Sequence, residues 1–126
     1  MAIVVDTSVL IDHLRGDQDA RDALREAAAA GERLAASVLT KVEILAGMRK
    51  GEERVTRRLL DSLDLIGVDD VVAERAGMLA NQYLRSHPGV DPVDYVIAAT
   101  AQQLGAKLWT RNLKHFPMFS GLSAPY

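Results

Sequence analysis

The chain contains no cysteine, so no disulfide can staple it and no thiolate can hold zinc, which fits an intracellular setting. Its longest apolar runs are far below membrane-spanning length. The N-terminus lacks the basic region and apolar stretch of a secretory signal, and a soluble, cytoplasmic protein is expected. Charge of one sign is also lacking: the net value of −2 excludes a surface that traps nucleic acid everywhere, so any such contact must be local. The histidines, His13, His87 and His115, are scattered with no pair at ligand spacing, which argues against a zinc site. Repeats, low-complexity tracts and linkers are missing too.

What is present is an ordinary globular composition, 48% hydrophobic and 25% charged over 126 residues. That length supports one compact core and is short for two, so residues 1–126 read as a single domain. The organising stretch is Ile3-Val4-Val5-Asp6-Thr7-Ser8, a buried-strand pattern that stops on a carboxylate. After a strand at Ala2 to Val5, the spacing predicts a helix through Val9, Leu10 and Leu14 ending at Gly16, and a second from Asp17 to Ala30. A strand at Arg33 to Ala36 leads to Ser37, a cap for a helix from Val38 to about Arg49 with Val38, Val42 and Leu45 on its buried face. Val55, Leu59 and Leu63 mark an amphipathic helix over Glu53 to Leu63. A third strand at Leu65 to Val68 precedes a long helix through Val72, Ala76, Leu79 and Tyr83. Asp91-Pro92 opens another, running to Leu104, and Ala106 to Thr110 forms the fourth strand. Leu122 to Ala124 is expected to add a short fifth.

Strands alternating with helices in this way specify an α/β fold with helices on both faces of a mostly parallel sheet of four to five strands. Ligands of such sheets sit beyond the carboxyl ends of the strands. Asp6, Glu43, Asp94 and Thr110 to Asn112 all belong to that rim. Taken alone, Asp6 has a plainer explanation as a helix cap, and Glu43 as a solvated residue beside an apolar stripe. Yet Ser37, Thr40, Glu43 and Gly47 share one helix face flanked by Val42, Leu45 and Ala46, where a glutamate is costly without a cation. Asp91 is assigned to capping, while Asp94 precedes the small face of Ile97, Ala98 and Ala101, which lets its helix approach the sheet and carries Asp94 toward Asp6.

Three carboxylates on one rim repel each other unless neutralised. Oxygen-only ligands point to Mg²⁺ or Mn²⁺. Thr7, Ser8, Thr110 and Asn112 are candidates to position water or phosphate oxygens, and Arg111 and Lys114 to meet a phosphate. A second basic cluster, Arg49, Lys50, Arg54, Arg57 and Arg58, reads either as an RNA-tracking surface, carried by Arg54, Arg57 and Arg58, or as the wet face of two helices.

Asp6-Thr7-Ser8, the series Ser37, Thr40, Glu43 and Gly47, the run Asp94 to Ala101, and Thr110-Arg111-Asn112-Leu113-Lys114-His115-Phe116 stand in order and in register. Together they resemble the PIN domain of VapC-type toxins of bacterial toxin–antitoxin pairs, over essentially the whole chain. The resemblance implies a three-layer α/β/α fold and a Mg²⁺- or Mn²⁺-dependent ribonuclease that is usually a homodimer held inactive by a VapB-type antitoxin. Its acids carry over onto Asp6, Glu43 and Asp94. Many relatives have a fourth acid where this chain has Asn112, which leaves the number of metals open. The amphipathic helices near residues 9 to 15 and 53 to 65 offer apolar faces to an antitoxin segment. Two other readings remain: a catalytically inactive RNA- or protein-binding domain of the same fold, and a receiver-like signalling domain with Asp69 or Asp70 as phosphoacceptor.

Overall fold

The computed structural model describes residues 1–126. Its strands are β1 (Ala2–Val5), β2 (Arg33–Ser37), β3 (Asp64–Ile66) and β4 (Lys107–Trp109). The helices are α1 (Thr7–Leu14), α2 (Gln18–Ala29), α3 (Val38–Ala46), α4 (Glu53–Asp61), α5 (Asp70–Tyr83) and α6 (Pro92–Leu104), followed by a 3₁₀ turn at Leu113–His115. All strand pairs are parallel and the sheet order is β3-β2-β1-β4. Chain order therefore runs outward from β1 to β3 and then jumps back to β4 on the other side of β1. That reversal puts a topological switch point between the ends of β1 and β4.

Side chains of a strand alternate between faces, and β1 uses this to feed two cores. Ile3 and Val5 pack with Val9 and Leu10 of α1, Leu24 of α2, Ile44 of α3 and Leu59 and Leu60 of α4. Val4 turns the other way, onto Ile97, Ala98 and Ala101 of α6, Leu108 of β4 and Phe116. Behind α6, its Tyr95 and Ala99 meet Val72 and Ala76 of α5. The result is the expected three-layer α/β/α arrangement, with α1–α4 over one face of the sheet and α5–α6 over the other. No helix is long and apolar enough to cross a membrane.

Local chemistry sets the boundaries. Gly16 and Gly105 take positive φ angles of 87° and 60°, which residues with a Cβ avoid, and so terminate α1 and α6. Asp17, Ser37, Asp69 and Asp91 each accept a backbone N–H at the start of a helix.

Several expectations need correction. Leu122 to Ala124 does not add a strand: β4 pairs only with β1, and Gly121, at φ 70°, and Pro125 leave little room for a ladder. The third strand begins at Asp64 rather than Leu65, and α3 stops at Ala46 rather than near Arg49. In α3 the packed face is Thr40 and Ile44, while Val42 is 61% exposed. In α4, Thr56, Leu59 and Leu60 are buried and Val55 is 52% exposed. Both slips have one cause: helical spacing selects a face, but which face is covered depends on the neighbouring helix.

Phe116 is 1% exposed and fills the space between β4 and α6. Phe116→Ala is expected to lower stability by roughly 3–5 kcal/mol through lost burial and the cavity left behind. Urea unfolding followed by circular dichroism checks this.

Candidate active site

Asp6 follows β1 at the switch point, where its backbone N–H donates to the carbonyl of Trp109 at 2.8 Å and so extends the β1–β4 ladder by one bond. It occupies the N-cap position of α1 without any side-chain capping bond, which removes the plainer explanation for this residue. The carboxylate is instead turned inward and is only 3% exposed. Its Oδ2 accepts from Thr110 Oγ1 at 2.7 Å and from Ser8 Oγ at 2.9 Å. Ser8 Oγ in turn accepts the Arg111 N–H at 3.0 Å, and Thr110 Oγ1 accepts the Asn112 N–H at 2.9 Å. The loop after β4 is thus tied to the first turn of α1.

Glu43 reaches the same rim from α3. Thr7 Oγ1 donates to its Oε1 at 2.6 Å and lies 3.3 Å from Thr40 Oγ1. Of the Ser37, Thr40, Glu43 and Gly47 face read from spacing, Thr40 and Glu43 therefore meet Thr7 at the site, while the Ser37 hydroxyl caps α3 by accepting the Leu39 N–H.

Asp94 comes from the first turn of α6. A full capping box forms there: Asp91 Oδ1 accepts the N–H groups of Val93 and Asp94, and the Asp91 N–H donates to Asp94 Oδ2 at 3.3 Å. His115 Nδ1 lies 3.1 Å from the same Oδ2. Burial pushes the Asp94 carboxyl up to about 6, and the negative fields of Asp91 and Asp6 add to this, against the lowering influence of the Asp91 backbone bond and of His115. Asp6 and Asp94 are therefore near enough to repel.

Each of the three carboxylates has one oxygen held and one free. Donors converge on Asp6 Oδ2, Glu43 Oε1 and Asp94 Oδ2, whereas no protein donor reaches Asp6 Oδ1, Glu43 Oε2 or Asp94 Oδ1. No lysine or arginine pairs with any of them. As placed, no three Asp, Glu or His side chains close around a single point at ligand distance. The donor set nevertheless fits a hard divalent cation: oxygen ligands only, negative charge in excess, and one free oxygen on each acid.

The other candidates divide. Asn112 and Lys114 are exposed in the loop after β4. Arg111 is engaged by the C-terminal segment: its guanidinium lies 4.6 Å from the centroid of the Tyr126 ring and donates to the Tyr126 carbonyl at 3.2 Å. Tyr126 is itself anchored by donating to Asp12 Oδ2 at 2.6 Å. Arg54, Arg57 and Arg58 are not gathered at the rim. Glu52, just before α4, pairs with Arg15 at 2.8 Å, beyond the end of α1 remote from Asp6, and Arg58 lines a groove between α1, α2 and α4. Sequence reasoning missed two contacts, that of His115 with Asp94 and that of Tyr126 with Arg111. The one available signal was the position of His115 next to Phe116, a natural core anchor.

A parallel sheet with three acids from three elements at its switch point defines an α/β domain with an acidic carboxyl-end site. The chain belongs to the PIN domain family, which it matches over residues 3–117. It is 42% identical over 123 residues to Ribonuclease VapC19 of Mycobacterium tuberculosis, covering 98% of both chains. With Ribonuclease VapC10 of the same organism it shares 45% identity over 124 residues, 98% of this chain and 92% of that one. Among solved structures, a toxin-antitoxin complex from Klebsiella pneumoniae contains a chain that superposes with a TM-score of 0.82 at 33% identity, covering 98% of each. The match to the PIN domain disposes of the receiver-like reading.

In the metal-free protein Asp94 is expected to titrate near pH 6. The folded state then holds this proton more tightly than the unfolded chain, so the contribution of Asp94 to stability falls as pH rises from about 4 through about 6. Asp94→Asn, which cannot ionise, should gain stability relative to the parent over that window. Thermal melts of both proteins at pH 4.5 and 7.5 measure the difference.

Proposed function

We propose that this chain is a divalent-metal-dependent endoribonuclease that hydrolyses RNA phosphodiester bonds, acting in the cytoplasm as the toxin of a pair with a VapB-type antitoxin. The observation that carries the chemistry is the set of three carboxylates, from the end of β1, α3 and α6, with one free oxygen apiece and no lysine or arginine among them. Relatives named ribonucleases, matched over almost their whole length, support the reaction class.

Asp6, Glu43 and Asp94 would hold Mg²⁺ or Mn²⁺, which supplies acidification of a bound water and stabilisation of charge on the phosphate. Thr7 fixes the rotamer of Glu43, and Ser8 and Thr110 fix that of Asp6. Asn112 presents a neutral amide at the loop after β4, where a further acid would favour a second ion, so one well-held ion is the expectation. Lys114 is free to meet a phosphate of the substrate. Arg111, stacked on Tyr126, is a second candidate for such a contact. A role for Arg54, Arg57 and Arg58 in tracking RNA requires a strand long enough to pass from the rim to α4. Single-stranded or looped RNA suits a site this small better than A-form duplex.

The inhibitory partner has a surface to occupy. The groove between α1, α2 and α4 encloses about 510 Å³, with Leu14, Leu24, Leu59 and Leu63 inside and Arg21, Arg25 and Arg58 around it. This shape and charge suit an amphipathic helix with acidic flanks. The groove joins the two helical stretches that the sequence marks as amphipathic. Homodimerisation belongs to the same proposal, with the exposed Val71 and Met78 on one face of α5 as the surface a second copy would cover.

Two tests separate the parts. Purified protein is expected to cleave RNA with Mn²⁺ or Mg²⁺ and to stop on addition of a chelator, while Asp6→Asn keeps its circular dichroism spectrum and loses cleavage to background. Metal-dependent cleavage at the parent rate by that variant would overturn the assignment of Asp6, and binding of RNA without cleavage by the parent would favour an inactive RNA-binding domain. Replacing Arg21 and Arg25 by Glu is expected to weaken antitoxin binding at least about tenfold with RNA cleavage intact. Calorimetry against a VapB-type antitoxin that binds the parent protein measures it, and unchanged affinity places the antitoxin elsewhere.

A further inference from the structure

The metal reading accounts for the acids but leaves one side chain at the rim without a task. His115 is 42% exposed, yet its Nδ1 lies 3.1 Å from Asp94 Oδ2 while Asp94 itself is only 13% exposed. A carboxylate oxygen can only accept, so the imidazole is the donor. The contact is built by the fold rather than by chance approach of two surface chains. Phe116 is buried against Ile97, Ala98 and Ala101 of α6, and Asp94 precedes Ile97 and Ala98 by three and four residues, on the same helix face. Anchoring Phe116 there leaves the adjacent His115 over the first turn of α6. The 3₁₀ turn that carries it is closed by the His115 N–H to the Asn112 carbonyl at 2.9 Å.

Two donors, the Asp91 N–H and His115 Nδ1, converge on Oδ2 of Asp94 and none reaches Oδ1. The pattern repeats at Asp6, where Ser8 and Thr110 hold Oδ2, and at Glu43, where Thr7 holds Oε1. We propose that His115 is a positioning residue of the metal site: through its Nδ1–H it holds Oδ2 of Asp94 so that Oδ1 is presented to a divalent cation. It plays for Asp94 the part that Ser8 and Thr110 play for Asp6, and it touches neither metal nor RNA. Partners that orient a ligating carboxylate are worth roughly 10- to 100-fold in metal affinity, whereas a half-exposed ion pair is worth little in stability.

This inference rests on the metal-dependent reading above, and the test keeps the two apart. Binding of Mn²⁺ to the full chain is measured by the loss of the free-ion electron paramagnetic resonance signal, with no RNA present. The comparison covers the parent, His115→Ala, His115→Asn and His115→Gln. An asparagine amide nitrogen can take the place of Nδ1, and a glutamine nitrogen takes that of Nε2. The Ala and Gln variants are expected to bind Mn²⁺ about tenfold or more weakly, with Asn returning to within about threefold of the parent. The metal-free melting temperatures of all four should agree closely. Parent-like affinity in His115→Ala overturns the positioning role and leaves the nuclease reading standing, as does an Asn variant no better than Ala. Loss of affinity matched by loss of the metal-free fold marks His115 as structural and overturns the role too. If the parent itself binds no Mn²⁺, the metal site and the role of His115 fall together.

Discussion

A carboxylate that is almost wholly buried beside no positive charge is the constraint on which this structure turns. Asp6 is placed by the β1–β4 ladder and stabilised by two hydroxyls, from Ser8 two residues on and from Thr110 across the switch point. Neutral donors lessen the cost of burying an anion but do not cancel it. With Asp94 and Glu43 brought to the same rim, electrostatic strain collects at one end of an otherwise apolar core. A fold built for stability alone would have an apolar or neutral group at such a place, which is why the site reads as functional.

The architecture allows this because the two helical layers have divided tasks. The α5–α6 layer packs through small residues and Phe116, so α6 lies close to the sheet and its first turn projects Asp94 over the end of β1. The opposite layer packs through larger aliphatic side chains, and α1, α2 and α4 do not close completely over them. The groove left between them meets the site through α1, whose first turn carries Thr7 and Ser8 and whose last turn carries His13 and Leu14. A partner seated in the groove would thus grip the helix that positions Asp6 and Glu43.

Much of this was legible in the residues. Short apolar runs between amphipathic segments gave the order of strands and helices, and a glycine or a capping acid marked most of the boundaries. The acids were legible too, because each lies in the first or second turn after a strand or at a capped helix start. Errors arose where spacing alone could not say which side of a helix is covered. Val42 and Val55 fit a buried stripe and are exposed, while Thr40 and Thr56 are buried. Helix α3 is wedged among α1, α6 and the sheet, and its polar-looking face is the one that points inward, toward Thr7.

The amino-acid sequence by itself determined the alternation of elements, the parallel sheet that follows from it, and the fact that Asp6, Glu43 and Asp94 share its carboxyl edge. These follow from local periodicity and from the handedness of crossovers, which need no knowledge of distant contacts. The tertiary structure alone decided which oxygen of each acid is held and by what. It also gave His115 to Asp94 and Arg111 to Tyr126, and kept the arginines of α4 away from the rim. Those outcomes depend on how whole layers pack, and side chains that meet across a hundred residues, as Asp6 and Thr110 do, leave no periodic trace along the chain.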